Sequence, residues 1–346
     1  MHISQVCTDL FKARPYPPPS STRTGFLYDR RFMLLKVLED GSFKNMHIPH
    51  FPEMALFRAE IVYPTEDGTE PGHIIVTYRP AHSRTLNLPL APDTHPLQEL
   101  AIMMHQSPTK GYNMGPRYND WFSERFGYPV VLAYLGPHSR RVLGSFAPTK
   151  SEMLQISSAV VVIMLLVVML GGTAVSDNWI NARRHKEERI TFADTAPYLL
   201  VSATSVDNVS ERLEGGLGID VTKFRPNIVV AGAQEAFEED FWAEAMIGSN
   251  QEGKARLLLT ANCVRCQSLN VDYATGAMAE GEMGKVLKKL MKDRRVDKGA
   301  KFSPVFGRYV FLDDESEGQR VQIGDEVVVT RRIKERMVYD WPGLTN

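Results

Sequence analysis

Residues 153–176, "MLQISSAVVVIMLLVVMLGGTAVS", carry no charged side chain, and this run constrains what the chain can fold into more than any other. A helix of that length reaches roughly 36 Å at about 1.5 Å per residue, enough to cross a hydrocarbon core of about 30 Å. The strictly apolar centre, Ala159 to Leu170, is 12 residues long, and its Ser, Gly and Thr flanks add little insertion energy. The segment reads as an inserted hydrophobic helix, transmembrane in the first reading, with a buried core helix or an interfacial helix as the other solutions. Arg140, Arg141 and Lys150 precede it and Arg183, Arg184, Lys186 and Arg189 follow it, so the flanking charges assign no orientation.

The run divides a 346-residue chain into two stretches, each long enough for a domain. A net charge of -1 argues against nucleic acid as a partner. Three cysteines make no disulfide framework and point to a reducing compartment. Near the start, "KARPYPPPSSTRTG" reads as part of an extended, proline-rich leader over 1–24 rather than a signal peptide.

Between the leader and the apolar run the chain reads mostly as strands. "RRFMLLKV" runs into the Asp40-Gly41 turn, "HIIVTYR" follows an Asp67-Gly68 turn, and "PVVLAYLG" comes later. Two helices are expected, one over "HPLQELAIMM" with Leu97, Leu100, Ala101 and Met104 on a buried face, the other over "RYNDWFSERFG". After a charged linker, 177–189, come "PYLLVSA", a helix capped by Ser205, the strands "NIVVAG" and "ARLLLTA", a basic helix "GKVLKKLMKDRR" and a closing strand "DEVVVTRR".

Two of the three cysteines, Cys263 and Cys266, lie in "LTANCVRCQSLNVDYATG". A structural zinc needs two further soft ligands, but the remaining cysteine is Cys7 in the leader and no histidine follows His185. A thioredoxin-type pair needs its first cysteine at a helix N-terminus, and the flanking residues read as extended. Inert burial is the usual state of free cysteine. Arg265 between the two favours thiolate if it points the same way. A soft thiolate beside a cation suits a metal such as molybdenum in a pterin cofactor, and spacing alone does not separate that from a reactive cysteine.

"KFRPNIVVAGAQEAFEEDFWAEAMIG", "NCVRCQSLNVDYATG", "SPVFGRYVFL" and "IGDEVVV" together resemble the MOSC domain, the family named for the C-terminal domain of molybdenum cofactor sulfurase. "GFLYDRRFMLL" resembles the start of the N-terminal β-barrel domain that accompanies it, and "ITFADTAPYLLVSATSV" the segment where MOSC begins. Within that superfamily the arrangement is similar to the mitochondrial amidoxime-reducing components, which lack a pyridoxal-phosphate desulfurase domain. A family-level association with pyridoxal phosphate binding nevertheless accompanies the resemblance.

The resemblance implies a mixed α/β, β-rich fold. An N-terminal β-barrel domain at 25–148 would pack on a MOSC β-barrel domain at 190–335, followed by a tail at 336–346. It implies an oxidoreductase that reduces small N-hydroxylated compounds at molybdenum in a pterin cofactor, with electrons from an NADH-dependent reductase through a b-type cytochrome. The alternative is a module that binds the cofactor or carries sulfur without redox turnover. A membrane-anchored remnant without chemistry is the third reading. The implied address is intracellular and membrane-associated through 153–176, with the mitochondrial outer membrane compatible.

Carried over position by position, Cys266 matches the molybdenum ligand and Arg265 a residue near the cofactor. Arg225 and Asn227 of "RPN" match the pair that holds the pterin and its phosphate, a role guanidinium and amide chemistry suit. Arg30 matches another phosphate-side arginine, and Asp194 and Thr195 match a loop bordering the cofactor.

Two features depart from the family. Its Tyr-Pro-x-Lys-Ser motif, whose lysine and serine help bind the cofactor, is replaced by the leader, which implies an incomplete start or a weakened pterin site. A single span at 153–176 would also put Arg30 on the opposite side of a bilayer from Arg225 and Cys266, whereas a surface helix would keep the site intact. The basic helix is a candidate contact for an acidic cytochrome, against the plainer reading of a solvated face.

Overall fold

The computed structural model of the protein describes residues 1–6, 20–65, 67–81, 84–149, 187–249 and 253–344. The apolar segment 153–176 and the linker to residue 186 lie outside the described residues. Among those described, no helix is long and apolar enough to cross a membrane.

In the N-terminal half Phe32–Val37 turns at Asp40-Gly41 into Phe43–Asn45, and its other edge pairs antiparallel with Val130–Tyr134. Ser107–Asn113 and Glu99–Met104 extend this to five strands. A second sheet of three is built from Phe57–Val62, His73–Tyr78 and Thr85–Pro89. The two sheets share a core of Phe57, Ile74, Val76, Leu88, Phe122 and Leu132. The N-terminal unit is therefore two sheets around one core rather than one continuous barrel ladder. The edges of the larger sheet meet through a side chain instead, Asn45 Nδ2 donating to the Met103 carbonyl at 2.7 Å.

The helix expected over "HPLQELAIMM" is a strand, Glu99–Met104. Leu100, Ile102 and Met104 are buried while Glu99, Ala101 and Met103 are exposed, so the period is two and not 3.6. The sequence fits both periods, and pairing decides between them. Met104 faces Ser107 across a two-residue hairpin whose central residues, His105 and Gln106, both have positive φ, 49° and 60°. That matches a type I′ turn made without its usual glycine, and without glycine the turn carries no sequence signal. The second helix forms as expected over Pro116–Phe126, with proline in its first turn and Gly127 left-handed at its end.

The C-terminal half closes a seven-stranded barrel. Its order is His2–Val6, Ile228–Ala231, Tyr198–Ser202, Val305–Leu312, Gly253–Val264, Trp242–Ser249 and Glu326–Arg332. His2–Val6 falls within the stretch read as leader, yet it pairs antiparallel with Ile228–Ala231 and closes the barrel against Glu326–Arg332. Five residues are too few to show a period, and the barrel edge supplies the ladder that makes them a strand. The helix after Tyr198–Ser202 spans Ala203–Glu211 and its cap position is Ser202. Ser205 lies inside the first turn, where its hydroxyl donates to Glu239 Oε2 at 2.8 Å. The basic stretch forms a turn at Met283–Lys285 and one short helix, Val286–Leu290. Lys289 there is bound internally, to Glu282 and to the Arg212 carbonyl.

The halves are stitched together on both sides of the undescribed segment. Arg140–Arg141 pairs antiparallel with Arg189–Ile190, Trp341 Nε1 donates to the His105 carbonyl at 2.7 Å, and Thr22 N donates to Tyr198 Oη at 2.9 Å.

Candidate functional site

The site grows from one bulged strand. Gly253–Val264 carries register shifts at Leu259/Ala261 and at Asn262/Val264 against Val305–Leu312, and its end turns directly into the cysteine loop. Bulges of this kind re-aim side chains at barrel rims. Cys263 ends up buried and Cys266 exposed, with Cys266 Sγ 3.3 Å from Ser268 Oγ. The local symmetry of the pair is broken by which way the strand end faces.

Arg265 sits between them and points inward. Its Nη1 donates to Cys263 Sγ at 2.9 Å and its Nη2 to the Phe224 carbonyl at 2.8 Å. Burial opposes its charge, while the Cys263 and Cys266 sulfurs push the guanidinium up from its ordinary value. The second contact matters for assembly, because Phe224 immediately precedes Arg225. From the same turn, Lys223 Nζ donates to the carbonyls of Leu269 at 3.4 Å and Val271 at 2.5 Å. Burial pushes this lysine down, and Asp272 and Asp220 oppose that. Two buried cations therefore bracket the loop that carries Cys266 and lock it to the residues before Arg225.

Arg225 and Arg30 have φ of 54° and 50°. Non-glycine residues held there cost about 1–3 kcal/mol and cluster where surrounding structure enforces them for function. The enforcement is visible: Arg30 Nη1 donates to Asn227 Oδ1 at 3.0 Å and Nη2 to the Arg225 carbonyl at 3.3 Å. Asn227 is fully buried, donates to Asp29 Oδ2 at 2.9 Å and accepts from Leu199 N at 3.0 Å. Its amide thus serves as a clamp between the two halves.

Asp194 and Thr195 lie on the loop between Arg189–Ile190 and Tyr198–Ser202. His105 Nε2 is 3.6 Å from Asp194 Oδ1. Burial pushes the Asp194 carboxyl up, but the nearby His105 ring and the charges of Arg225 and Arg30 hold it well below the usual carboxylate range. Thr195 Oγ1 is buried without a hydrogen-bond partner. The loop is held by Arg140, fully buried, which donates to the carbonyls of Met104, Thr191, Ala193 and Asp194. With carbonyls as its partners, Arg140 is pushed down to about 10 by burial, with Asp194 opposing.

Arg140, Lys223, His47 and His105 are residues that motif reasoning missed. Lys223 had a signal, lying two residues before Arg225 in "KFRPN"; the others come from the opposite half of the chain and become neighbours only on folding. His47 stacks on His105 with ring centroids 5.4 Å apart. Burial, with help from His105, Arg225 and His50 and against Asp194, pushes His47 down to about 4.

A depressed histidine stays neutral in the folded state while the unfolded chain takes up a proton. The stability it supports is therefore whole above about pH 6.5 and is lost as pH falls toward 4. By linkage the loss is about 2–3 kcal/mol over that window. His47→Gln is expected to flatten it, as measured by urea unfolding at pH 7.0, 5.5 and 4.5; an unchanged slope refutes the assignment.

Among the described residues no cluster of three or more His, Cys, Asp or Glu could hold a metal ion. A centre attached through one protein sulfur needs no such cluster. Arg225, Arg30 and Asp194 come together from both halves, and Arg265 and Lys223 tie the loop of Cys266 to the turn before Arg225.

Comparison with known proteins matches the MOSC domain to residues 187–328. The chain is 33% identical over 142 residues to mitochondrial amidoxime-reducing component 1 of Homo sapiens, covering 41% of this chain and 39% of that protein. Against the same component of Danio rerio it is 35% identical over 124 residues, covering 36% and 35%. Against that of Mus musculus it is 25% identical over 309 residues, covering 88% and 73%. The chain thus spans about two fifths of the human relative's length at the higher identity. These matches lend no support to an association with pyridoxal phosphate.

Proposed function

This chain is a MOSC-domain protein, and from that premise we propose that it binds a molybdenum–pterin cofactor and acts as an oxidoreductase on small N-hydroxylated compounds. The observation that carries the reading is the Cys266 thiol, exposed at a loop that Lys223 and Arg265 lock against Arg225. A thiolate is a soft ligand suited to a centre of this kind and deprotonates on binding it. Arg225 and Arg30 supply cationic charge for the phosphate, and guanidinium matches phosphate in a fork geometry. Thr195 Oγ1, buried and without a partner, offers a polar contact at the cofactor's edge.

The donor set fits the group, and Asn227 also holds the two halves in register and thereby positions Arg30. When bound, the molybdenum centre supplies two-electron exchange with a substrate. The protein's own contributions are the anchoring sulfur, the fixed cations and a carboxylate, Asp194, kept ionised beside His105. Electrons are proposed to arrive from an NADH-dependent reductase through a b-type cytochrome, and the mitochondrial address follows the names of the relatives.

The test is elemental analysis of protein purified from cells that make the cofactor, followed by reduction of a small amidoxime with the donor chain supplied. Stoichiometric molybdenum with turnover supports the reading. Metal-free protein from such cells removes it, and bound cofactor without turnover leaves only the binding module.

A further inference from the structure

Arg140 is fully buried, and its single planar guanidinium reaches both halves of the chain. Nη1 donates to the Met104 carbonyl at 2.9 Å, Nε to the Thr191 carbonyl at 3.2 Å and Nη2 to the Asp194 carbonyl at 3.0 Å. Met104 directly precedes His105, so one rigid group is bonded both to the residue before the ring and to the residue that bears the carboxylate. The hairpin is pinned again at the His105 carbonyl, which accepts from Trp341 Nε1 at 2.7 Å. Between these two fixed carbonyls His105 holds a φ of 49°, a conformation that a non-glycine residue keeps where its surroundings enforce it.

The product of this bracing is a contact across the halves, His105 Nε2 lying 3.6 Å from Asp194 Oδ1. The Asp194 side chain is 49% exposed, so its position depends less on its own packing than on what its loop and its neighbour are tied to. The charges facing it are those of Arg225, Arg30 and Arg140. The other titratable groups around the pair are His47, stacked on His105 and pushed down to about 4, and the phenols of Tyr309 and Tyr339, both pushed up by burial. We propose that Arg140 and His105 are positioning residues: Arg140 sets the separation between ring and carboxylate, and the ring holds Asp194 beside Arg225 and Arg30. The effect on turnover rests on the reading of those two arginines as phosphate contacts of the cofactor; the effect on the pair does not.

The test is a double-mutant cycle on the full chain, in which unmodified protein, His105→Gln, Asp194→Asn and the double variant are unfolded in urea at pH 5.5 and pH 9. Imidazoles are mostly protonated at the first pH and neutral at the second. The expected coupling at pH 5.5 is about three- to fivefold in the unfolding constant, the size of a partly exposed ion pair, and it shrinks below about twofold at pH 9. Repeated on Arg140→Lys, the cycle is expected to show no coupling at either pH, because lysine keeps the charge but replaces the planar fork by one ammonium. In molybdenum-loaded protein His105→Gln and Arg140→Lys each lower kcat about tenfold, with KM and metal content unchanged. Absent coupling at pH 5.5, coupling as large at pH 9, coupling that survives Arg140→Lys, or an unchanged kcat in loaded His105→Gln would overturn the proposal. Protein without molybdenum removes the proposed function, and the cycle, which needs no metal, then decides the inference. If Arg140→Lys does not fold, the cycle on the native arginine decides alone.

Discussion

Cys266→Ala purifies without molybdenum and without reductase activity, yet melts within about 0.5 kcal/mol of the unmodified protein. The stability half of this expectation follows from exposure: the thiol lies at the surface, with Ser268 Oγ 3.3 Å away. The metal half follows from chemistry, since removing the protein sulfur should exceed the ~10–100-fold losses that outer-shell substitutions cause. Cys263→Ala provides the opposite pattern. That side chain is 3% exposed within the core and accepts from buried Arg265. Its removal leaves a small void and a guanidinium short of one acceptor, a cost of about 1–3 kcal/mol. Metal analysis and thermal melts on both variants separate the roles, and equal metal content in wild type and Cys266→Ala sinks the proposed ligand.

Asp240→Ala is expected to be the most destabilising single substitution, at about 3–5 kcal/mol. Asp240 is fully buried; Arg294 Nη2 lies within hydrogen-bond distance of both its oxygens, at 2.9 and 2.7 Å, and Arg336 Nε donates to it at 2.7 Å. Arg294 is itself 4% exposed, packs over the Phe237 ring at 4.0 Å and donates to the Val305 carbonyl. Removing the carboxylate strands a buried guanidinium that cannot lose its proton. Arg336→Met, by contrast, removes a partner whose side chain is 29% exposed and leaves Arg294 paired, so about 1 kcal/mol is expected. Denaturant melts at pH 7 check the ranking; an Asp240→Ala variant no weaker than Arg336→Met contradicts it.

Strands whose apolar residues were bounded by turn chemistry were legible without any tertiary information. "RRFMLLKV" before Asp40-Gly41 and "DEVVVTRR" after Gly324-Asp325 form where expected. Failures came where two readings fit one string. Leu100 and Met104 serve a helix or a strand equally, and only the partner Ser107–Asn113 chose between them. His2–Val6 carries too little pattern to read and exists because a barrel edge awaits it.

The sequence by itself offered the chemistry: a cysteine pair, Cys263 and Cys266, that only a family resemblance told apart, arginines at 30 and 225, and a β-rich frame with order matching a family. It also posed a separation, because an uncharged run at 153–176 reads as a possible barrier between those residues. Only the tertiary structure shows which of those residues meet. Arg30 reaches Asn227 and the Arg225 carbonyl directly, and Arg140 holds the Asp194 loop from the other half of the chain. The physical reason is that local pattern reports which face of an element is buried, whereas a site made of hydrogen bonds spanning nearly two hundred residues is specified by the packing of both halves together.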